Sequence, residues 1–246
     1  MQEVKEEGLG NIPNVKIEQL LEAGAHFGHK KSKWNPKMAK YIFREINGYH
    51  ILDLRKTILL LENALRFIYD IASKNGNILF VCTKKNLRDT IVNFANEAGV
   101  FYVVERWPGG LLTNFETTKQ RLIRIKELEG IFEEYNKGKS VYVKKEIVEL
   151  QKEYDKLLKK FGGVRSMEDL PSAIYIIDPV NEKLAVHEAN VLKIPTIAIC
   201  DTNADPELIT YPIPANDDAI KSVSLITSLV VETIKRGKQA GLTWQI

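Results

Sequence analysis

The chain reads as an α/β protein built on a doubly wound parallel sheet, into which an antiparallel helical hairpin is inserted. Three observations predict this. Short apolar runs at 78–82, 100–104, 173–177, 196–200 and 211–213 alternate with amphipathic stretches at 86–98, 181–192 and 217–236. These runs are apolar throughout rather than at every second position, which is the pattern of strands covered on both faces. Between about 113 and 162 the alternation stops, and a heptad-like spacing takes its place.

Taken in order, residues 1–14 are polar and acidic and read as a flexible leader without the apolar core of a secretion signal. A short helix at 17–23 follows, with Gly24 placed to end it. A basic loop comes next, and then apolar residues 41–43 and 50–52 flank Asn47-Gly48, a strong hairpin signal. From Asp53 to Ser73 the residues Ile58, Leu61, Leu65, Ile68 and Ala72 recur at helical spacing. In the inserted segment Ile125, Leu128, Phe132 and Tyr135 are spaced 3, 4, 3, and Ile147, Leu150, Tyr154, Leu157 and Phe161 are spaced 3, 4, 3, 4. Asn136-Lys137-Gly138-Lys139-Ser140 between them has turn composition. Two helices of about 20 residues and ~30 Å, folded back as a coiled coil, are expected. Gly130 is the weak point of the first. The domain organisation is then a leader at 1–14, a core at 15–112 and 163–246, and a hairpin at 113–162. With twelve Lys or Arg against nine Asp or Glu over 115–160, the hairpin is solvated outside its seam and serves for reach.

Composition narrows the function. Net charge is only +3, from 35 basic and 32 acidic residues, so a uniformly basic RNA-coating protein is excluded and any nucleic-acid surface is local. The two cysteines, Cys82 and Cys200, each close an apolar run and read as buried structural residues rather than a disulfide or nucleophile. No apolar run approaches the ~18 residues of a membrane span, and a cytoplasmic protein without a membrane partner is expected.

The richest stretch is 24–38, with Phe27, Trp34, His26, His29 and the lysines Lys30, Lys31, Lys33 and Lys37; no acidic residue occurs between Ala23 and Arg44, while six Lys or Arg do. Cations interleaved with rings suit a partner bearing phosphates and bases. A solvated basic loop is the plainer alternative. Trp34 and Phe27 either stack on RNA or anchor the loop. Thr83-Lys84-Lys85 lies at a strand's C-terminal end just before a helix, the ligand-binding edge of an open parallel sheet, with Arg88 one step further. Arg106-Trp107 with Gly109-Gly110 either presents a guanidinium and an indole to a partner or packs the Trp at the hairpin's base. Lys119, Arg121 and Arg124 on the hairpin are further candidates.

Enzyme readings find less support. The turn after the first core strand has no glycine for a dinucleotide, and Gly138-Lys139-Ser140 has Glu133 where a phosphate loop needs glycine. No nucleophile–base–acid set can be assembled. No cofactor is required. A divalent cation, magnesium or zinc, is a candidate ligand for His26 and His29 or for Asp178, Asp201, Asp205, Asp217 and Asp218, which all follow strands. The alternative is that these Asp residues cap loops and helices, Asp217 on the dipole of the last helix.

Several blocks resemble one family. They are Gly24-Ala25-His26-Phe27-Gly28-His29-Lys30-Lys31-Ser32-Lys33-Trp34-Asn35-Pro36-Lys37-Met38, Phe80-Val81-Cys82-Thr83-Lys84-Lys85, Arg106-Trp107-Pro108-Gly109-Gly110-Leu111-Leu112-Thr113-Asn114-Phe115, Leu170-Pro171-Ser172-Ala173, Asp201-Thr202-Asn203-Ala204-Asp205-Pro206, and 212–220. In this order and spacing the chain resembles the bacterial small-subunit ribosomal protein S-two family from about 18 to 236, departing from its usual glycine at Cys82 and Ala215. The resemblance implies a structural protein of the small subunit without catalysis. It also implies contact with small-subunit rRNA between head and body, neighbouring ribosomal proteins as partners, and support of mRNA recruitment through ribosomal protein S-one. The expected core is flavodoxin-like. A nucleotide-using or phosphosugar enzyme on the same fold and a coiled-coil scaffold are the other readings.

Overall fold

The computed structural model describes residues 12–139 and 142–243, so most of the expected leader and part of the hairpin turn lie outside the described residues. Helix α1 (Ile17–Glu22) ends where Gly24 takes a left-handed φ of 73°. Strands β1 (Phe27–Lys30), β2 (Ile42–Ile46) and β3 (Tyr49–Leu52) form a small antiparallel sheet in the order β1-β3-β2. Asn47 and Gly48 at the β2–β3 turn both have positive φ, 51° and 79°, as a two-residue hairpin turn of type I′ requires. Helix α2 (Leu54–Ser73) follows, its first turn capped by the Asp53 carboxylate, which accepts from the Arg55 N–H at 3.1 Å.

The main sheet is parallel throughout. Its strands are β4 (Ile78–Val81), β5 (Phe101–Val103), β6 (Ala173–Ile177), β7 (Thr196–Cys200) and β8 (Tyr211–Pro214), in the order β5-β4-β6-β7-β8. Helices α3 (Arg88–Ala98), α6 (Lys183–Val191) and α7 (Ile220–Thr243) make crossovers and closing layers. Alternate residues of each strand feed two cores. Phe80, Tyr175, Ile177, Ile197, Ile199 and Ile213 pack with α2, α3 and α7 on one face. Leu79, Val81, Ile174, Ile176, Ala198 and Cys200 pack with α6, Met38, Trp107 and Leu111 on the other. This two-sided burial is why the strands lack polar alternation. The Tyr175 hydroxyl, at the centre of the first core, pairs with Thr227 Oγ1 of α7 at 3.0 Å.

Between β5 and β6 the chain forms α4 (Phe115–Asn136) and α5 (Lys144–Phe161). Arg124 of α4 meets Glu153 of α5 through two hydrogen bonds at 2.9 and 3.1 Å, and Phe132 lies edge-on to Tyr154 with ring centroids 5.5 Å apart. Only α4 buries side chains, Thr118, Leu122, Ile125 and Leu128; α5 buries none. The helices are therefore fixed to the core at their base and are largely wet beyond it.

Two expectations are corrected. The basic loop is partly a strand: β1 forms because it pairs with β3 and packs on Thr202, contacts that its own non-alternating sequence does not announce. The last helix starts at Ile220, not 217; Asn216 Oδ1 caps its approach by accepting from the Asp218 and Ala219 N–H groups at 2.9 Å, and Asp217 is buried before the helix begins. Ala215, where the resemblance leads one to expect glycine, is buried without a positive φ. The cysteine reading agrees with the structure: both are free and buried, with burial pushing the Cys82 thiol up to about 12 and the Cys200 thiol up as well.

Helices α2 and α7 approach closely because α7 carries glycine at the contact. A Cβ at Gly237 would lie 2.6 Å from Ala72 Cβ and 2.9 Å from Tyr69 O, whereas a Cβ at Gly130 in α4 meets nothing within 4 Å. Gly237→Ala is expected to destabilise the fold by about 1–3 kcal/mol, and Gly130→Ala to stabilise it by about 0.5–1 kcal/mol, in urea unfolding. Equal signs for the two substitutions would refute this packing.

Candidate nucleic-acid interface

The small sheet is held to the C-terminal edge of the large one by polar contacts. At Gly28 the backbone passes so close to the Thr202 loop that a Cβ would lie 2.5 Å from Thr202 Cγ2, so only glycine fits. The next N–H, of His29, donates to Thr202 Oγ1 at 2.9 Å and to Asp201 Oδ1 at 3.2 Å. The Asn35 N–H donates to the Thr202 carbonyl at 2.7 Å, and the Asn216 N–H to the Ala25 carbonyl at 2.9 Å. His29 Nδ1 lies 2.9 Å from the buried Asp201 carboxylate, and Nε2 lies 3.6 Å from Asp218. The hydrogen bond to Asp201 raises the His29 pKa, outweighing the opposing effect of burial, with the charges of Asp201, Asp217 and Asp218 adding to it.

The lysines of this module divide into two groups. Lys31 pairs with Glu45 at 2.7 Å, and Lys37 pairs with Asp205 at 2.8 Å and Glu207 at 2.6 Å. Lys30 instead lies over the Tyr49 ring, 5.8 Å from its centroid, and exposed Lys33 has no acidic partner among the described residues. Trp34 is half-buried, edge-on to the buried His50 ring at 4.9 Å, and so anchors the loop. Phe27 is 52% exposed. The His26 ring contacts Phe27 with centroids 4.0 Å apart, and burial lowers its pKa.

The edge of the large sheet is filled from within. After β4 the Lys84 ammonium reaches Asp217 and Asp218 at 2.7 Å and Asp178 at 2.9 Å. Burial works to lower its pKa, but the Asp217 charge and the carboxylate hydrogen bonds outweigh that and raise it. Burial, then the Asp178 charge, pushes Asp217 up to about 7. Asp178 takes a positive φ of 64° and accepts from the Val180 and Asn181 N–H groups at 3.1 and 3.0 Å. The Thr83 N–H and hydroxyl both donate to Glu182, at 2.8 and 2.6 Å. β4 and β6 are neighbours at the point where the strand order reverses, where this architecture receives its ligands. Here side chains of the protein occupy the place where the sequence suggests an anion, and of Lys84 and Lys85 only Lys85 is exposed. Arg88 bonds to Glu105 at 2.6 Å and to the Val104 carbonyl at 3.2 Å.

The acidic residues that suggest a cation site separate in the same way. Asp178 and Asp217 surround Lys84, Asp201 takes His29, Asp205 takes Lys37, and His26 joins none of them. Among the described residues no three His, Cys, Asp or Glu side chains are disposed to hold one metal ion.

At the base of the helical pair, Glu188 is a residue the sequence reading did not single out. Its buried carboxylate accepts from Trp107 Nε1 (2.9 Å), the N–H groups of Gly110 (2.8 Å), Leu112 (3.0 Å) and Thr113 (3.1 Å), and the Thr113 hydroxyl (3.1 Å). Burial opposes its charge, but these donors prevail and lower its pKa. The available signal was an acid among the buried Ala185, Val186 and Ala189 of α6. Trp107 is thus a packed residue, whereas Arg106 is exposed without an ion pair among the described residues, and Arg121 is exposed with its charge helping to lower the pKa of Glu153 on α5. Lys119 lies over the Phe115 ring at 5.1 Å and 4.0 Å from Asp169, and Arg124 is engaged by Glu153 and Glu127.

Glu188→Gln turns an amide toward backbone donors and should cost about 1.5–3 kcal/mol in urea unfolding, the range of hydrogen bonds to a charged group. An unchanged midpoint would show that the loop does not depend on this carboxylate. Because the folded His29 pKa is raised, its stabilisation is complete below the unfolded value of about 6.5 and fades as pH rises through the folded value. The stability gap between the native chain and His29→Gln should therefore be widest in acid and narrow toward alkaline pH. A gap that widens with pH would contradict the His29–Asp201 pairing.

Comparison with known proteins adds the remaining evidence. The family model described as Ribosomal protein S2 matches residues 20–237, which span both sheets and the helical pair. The small ribosomal subunit protein uS2 of Fusobacterium nucleatum subsp. nucleatum is 52% identical over 225 residues, covering 92% of this chain and 91% of that relative. A chain matched along nearly its whole length in both comparisons belongs to the ribosomal protein S2 family.

Proposed function

We propose that this chain is a structural, non-catalytic constituent of the small ribosomal subunit that docks on small-subunit rRNA through the module from β1 to β3. The observation that carries the reading is the family match over residues 20–237. The docking surface follows from charge. Lys30 and Lys33 carry no intramolecular acid among the described residues and are free to neutralise phosphates, whereas Lys31 and Lys37 already face carboxylates. Lys85, Arg106 and Arg121 are secondary contacts, while Lys84, Arg88 and Arg124 serve the fold.

The strand order supports a flavodoxin-like core: numbered within the large sheet, it runs 2-1-3-4-5. The core then comprises 15–112 and 163–246, and 113–162 is a hairpin insertion whose apolar spacing supports a short coiled coil. At 22 residues α4 is about 33 Å long, enough to reach a neighbouring ribosomal protein from a fixed base. Ribosomal protein S-one as that partner rests on the family resemblance alone, and the cytoplasmic location expected from the sequence is consistent with a small-subunit protein. No bound metal enters the proposal, because the Lys84 ammonium already occupies the centre of the Asp178, Asp217 and Asp218 group.

Sedimentation with salt-stripped small subunits lacking this protein should give stoichiometric co-migration that is lost as salt rises; failure to co-migrate would refute the reading. Within it, Lys30→Ala and Lys33→Ala should each lower the log–log salt slope of rRNA binding by roughly 0.7–0.9. Lys37→Ala should change it less, since its charge is matched internally. A slope unchanged by the first two substitutions would remove the module from the interface.

A further inference from the structure

We infer that the outer face of the β1-β3-β2 sheet is a stacking platform for unpaired RNA bases, an inference that rests on the rRNA-docking reading and extends it to the kind of RNA contacted. In an antiparallel pair, directly opposed residues share a face. Phe27 opposes Ile51, Lys30 opposes Tyr49, Arg44 opposes Ile51 and Ile46 opposes Tyr49. These six residues therefore form one surface. The opposite surface carries Glu45 and His50, which are also opposed, together with Leu52. It is the inner one: His50 and Leu52 are buried, and Trp34 packs on the His50 ring.

The outer surface is rich in rings and open. Phe27 is 52% exposed, Tyr49 43% and Ile46 39%, with the His26 ring against Phe27 and Lys30 over Tyr49. Phe43, the extra residue where the β2–β3 register shifts, is 55% exposed. Single exposed apolar residues are ordinary. Here three rings and two isoleucines lie on one sheet only three strands wide.

Charge decides what such a face suits. Its two ionisable chains other than Tyr49 are cations, and each is set against a ring: Lys30 Nζ lies 5.8 Å from the Tyr49 centroid, and Arg44 Cζ lies 5.8 Å from that of Phe43. The hairpin's acid, Glu45, is on the inner side, where Lys31 neutralises it. Rings bordered by cations, with no carboxylate on the same surface, match a strand that offers base faces and phosphates in turn. A protein partner would have to bring a surface rich in acid to meet them. Double-stranded RNA keeps its base faces stacked inside and leaves the rings without partners. Unpaired bases satisfy both features.

The test uses the full chain with three probes: a single-stranded oligoadenylate of about 12 nucleotides, a duplex of the same length, and the full small-subunit rRNA transcript. The paired substitution Phe43→Ala with Tyr49→Ala removes half-exposed rings and should leave the unfolding midpoint nearly unchanged. It should weaken oligoadenylate binding by about tenfold or more, since two stacked bases together contribute at least that much, while leaving the salt slope intact. The conservative pair Phe43→Tyr with Tyr49→Phe should retain native affinity. Unchanged oligoadenylate affinity in the alanine pair, or no preference of the native chain for single strands over duplex, would overturn the platform while rRNA docking stands. No binding of the native chain to the rRNA transcript would overturn both. Loss of co-sedimentation with stripped subunits but unaltered RNA affinity would make the face a protein contact and likewise overturn the inference.

Discussion

The arrangement depends on one loop, Asp201-Thr202, which follows β7. Thr202 receives the His29 N–H on its hydroxyl and the Asn35 N–H on its carbonyl, while the buried Asp201 carboxylate takes the His29 imidazole. Gly28 allows the approach. A three-stranded sheet with one face open to solvent has little core of its own. These contacts give it a fixed seat on the larger domain and turn His50, Leu52 and Trp34 inward. The cations and rings on its other side are then presented rather than buried.

The same economy of charge explains the sheet edge. A doubly wound sheet offers a crevice where strand order reverses, and in many chemistries a ligand fills it. In this chain Lys84 fills it, with Asp178, Asp217 and Asp218 around the ammonium and Glu182 on Thr83. Removing one member would leave a partner charge desolvated, a heavy penalty inside a protein. The edge has become a fastening between β4, β6 and the approach to α7. The surface that remains for a polyanion lies beside it, on the small sheet and along the base of α4.

Much of this was legible in the sequence, for identifiable reasons. The strands of the large sheet are short, continuous apolar runs, and α2 repeats its apolar residues over 20 positions, so period and length settled both. Asn47-Gly48 announced its hairpin because few residue pairs tolerate two successive left-handed conformations. Strand β1 was not legible: Phe27-Gly28-His29-Lys30 carries no alternation, and its conformation comes from β3 and Thr202, which is 173 positions from His29. At the site, composition found the basic module but not which lysines are free. That depends on Glu45, Asp205 and Glu207, the last two remote in sequence from the lysine they meet. Glu188 escaped because a carboxylate satisfied by five donors from one loop is a property of the folded loop, not of the helix that carries it.

The central claim is that the small sheet, and not the filled edge of the large one, faces RNA. Amide hydrogen exchange of the full chain, free and bound to small subunits stripped of this protein, tests it most directly. The account predicts slower exchange across 42–52 on binding, with the 83–86 turn unaltered. Protection of the 83–86 turn without any across 42–52 would contradict it.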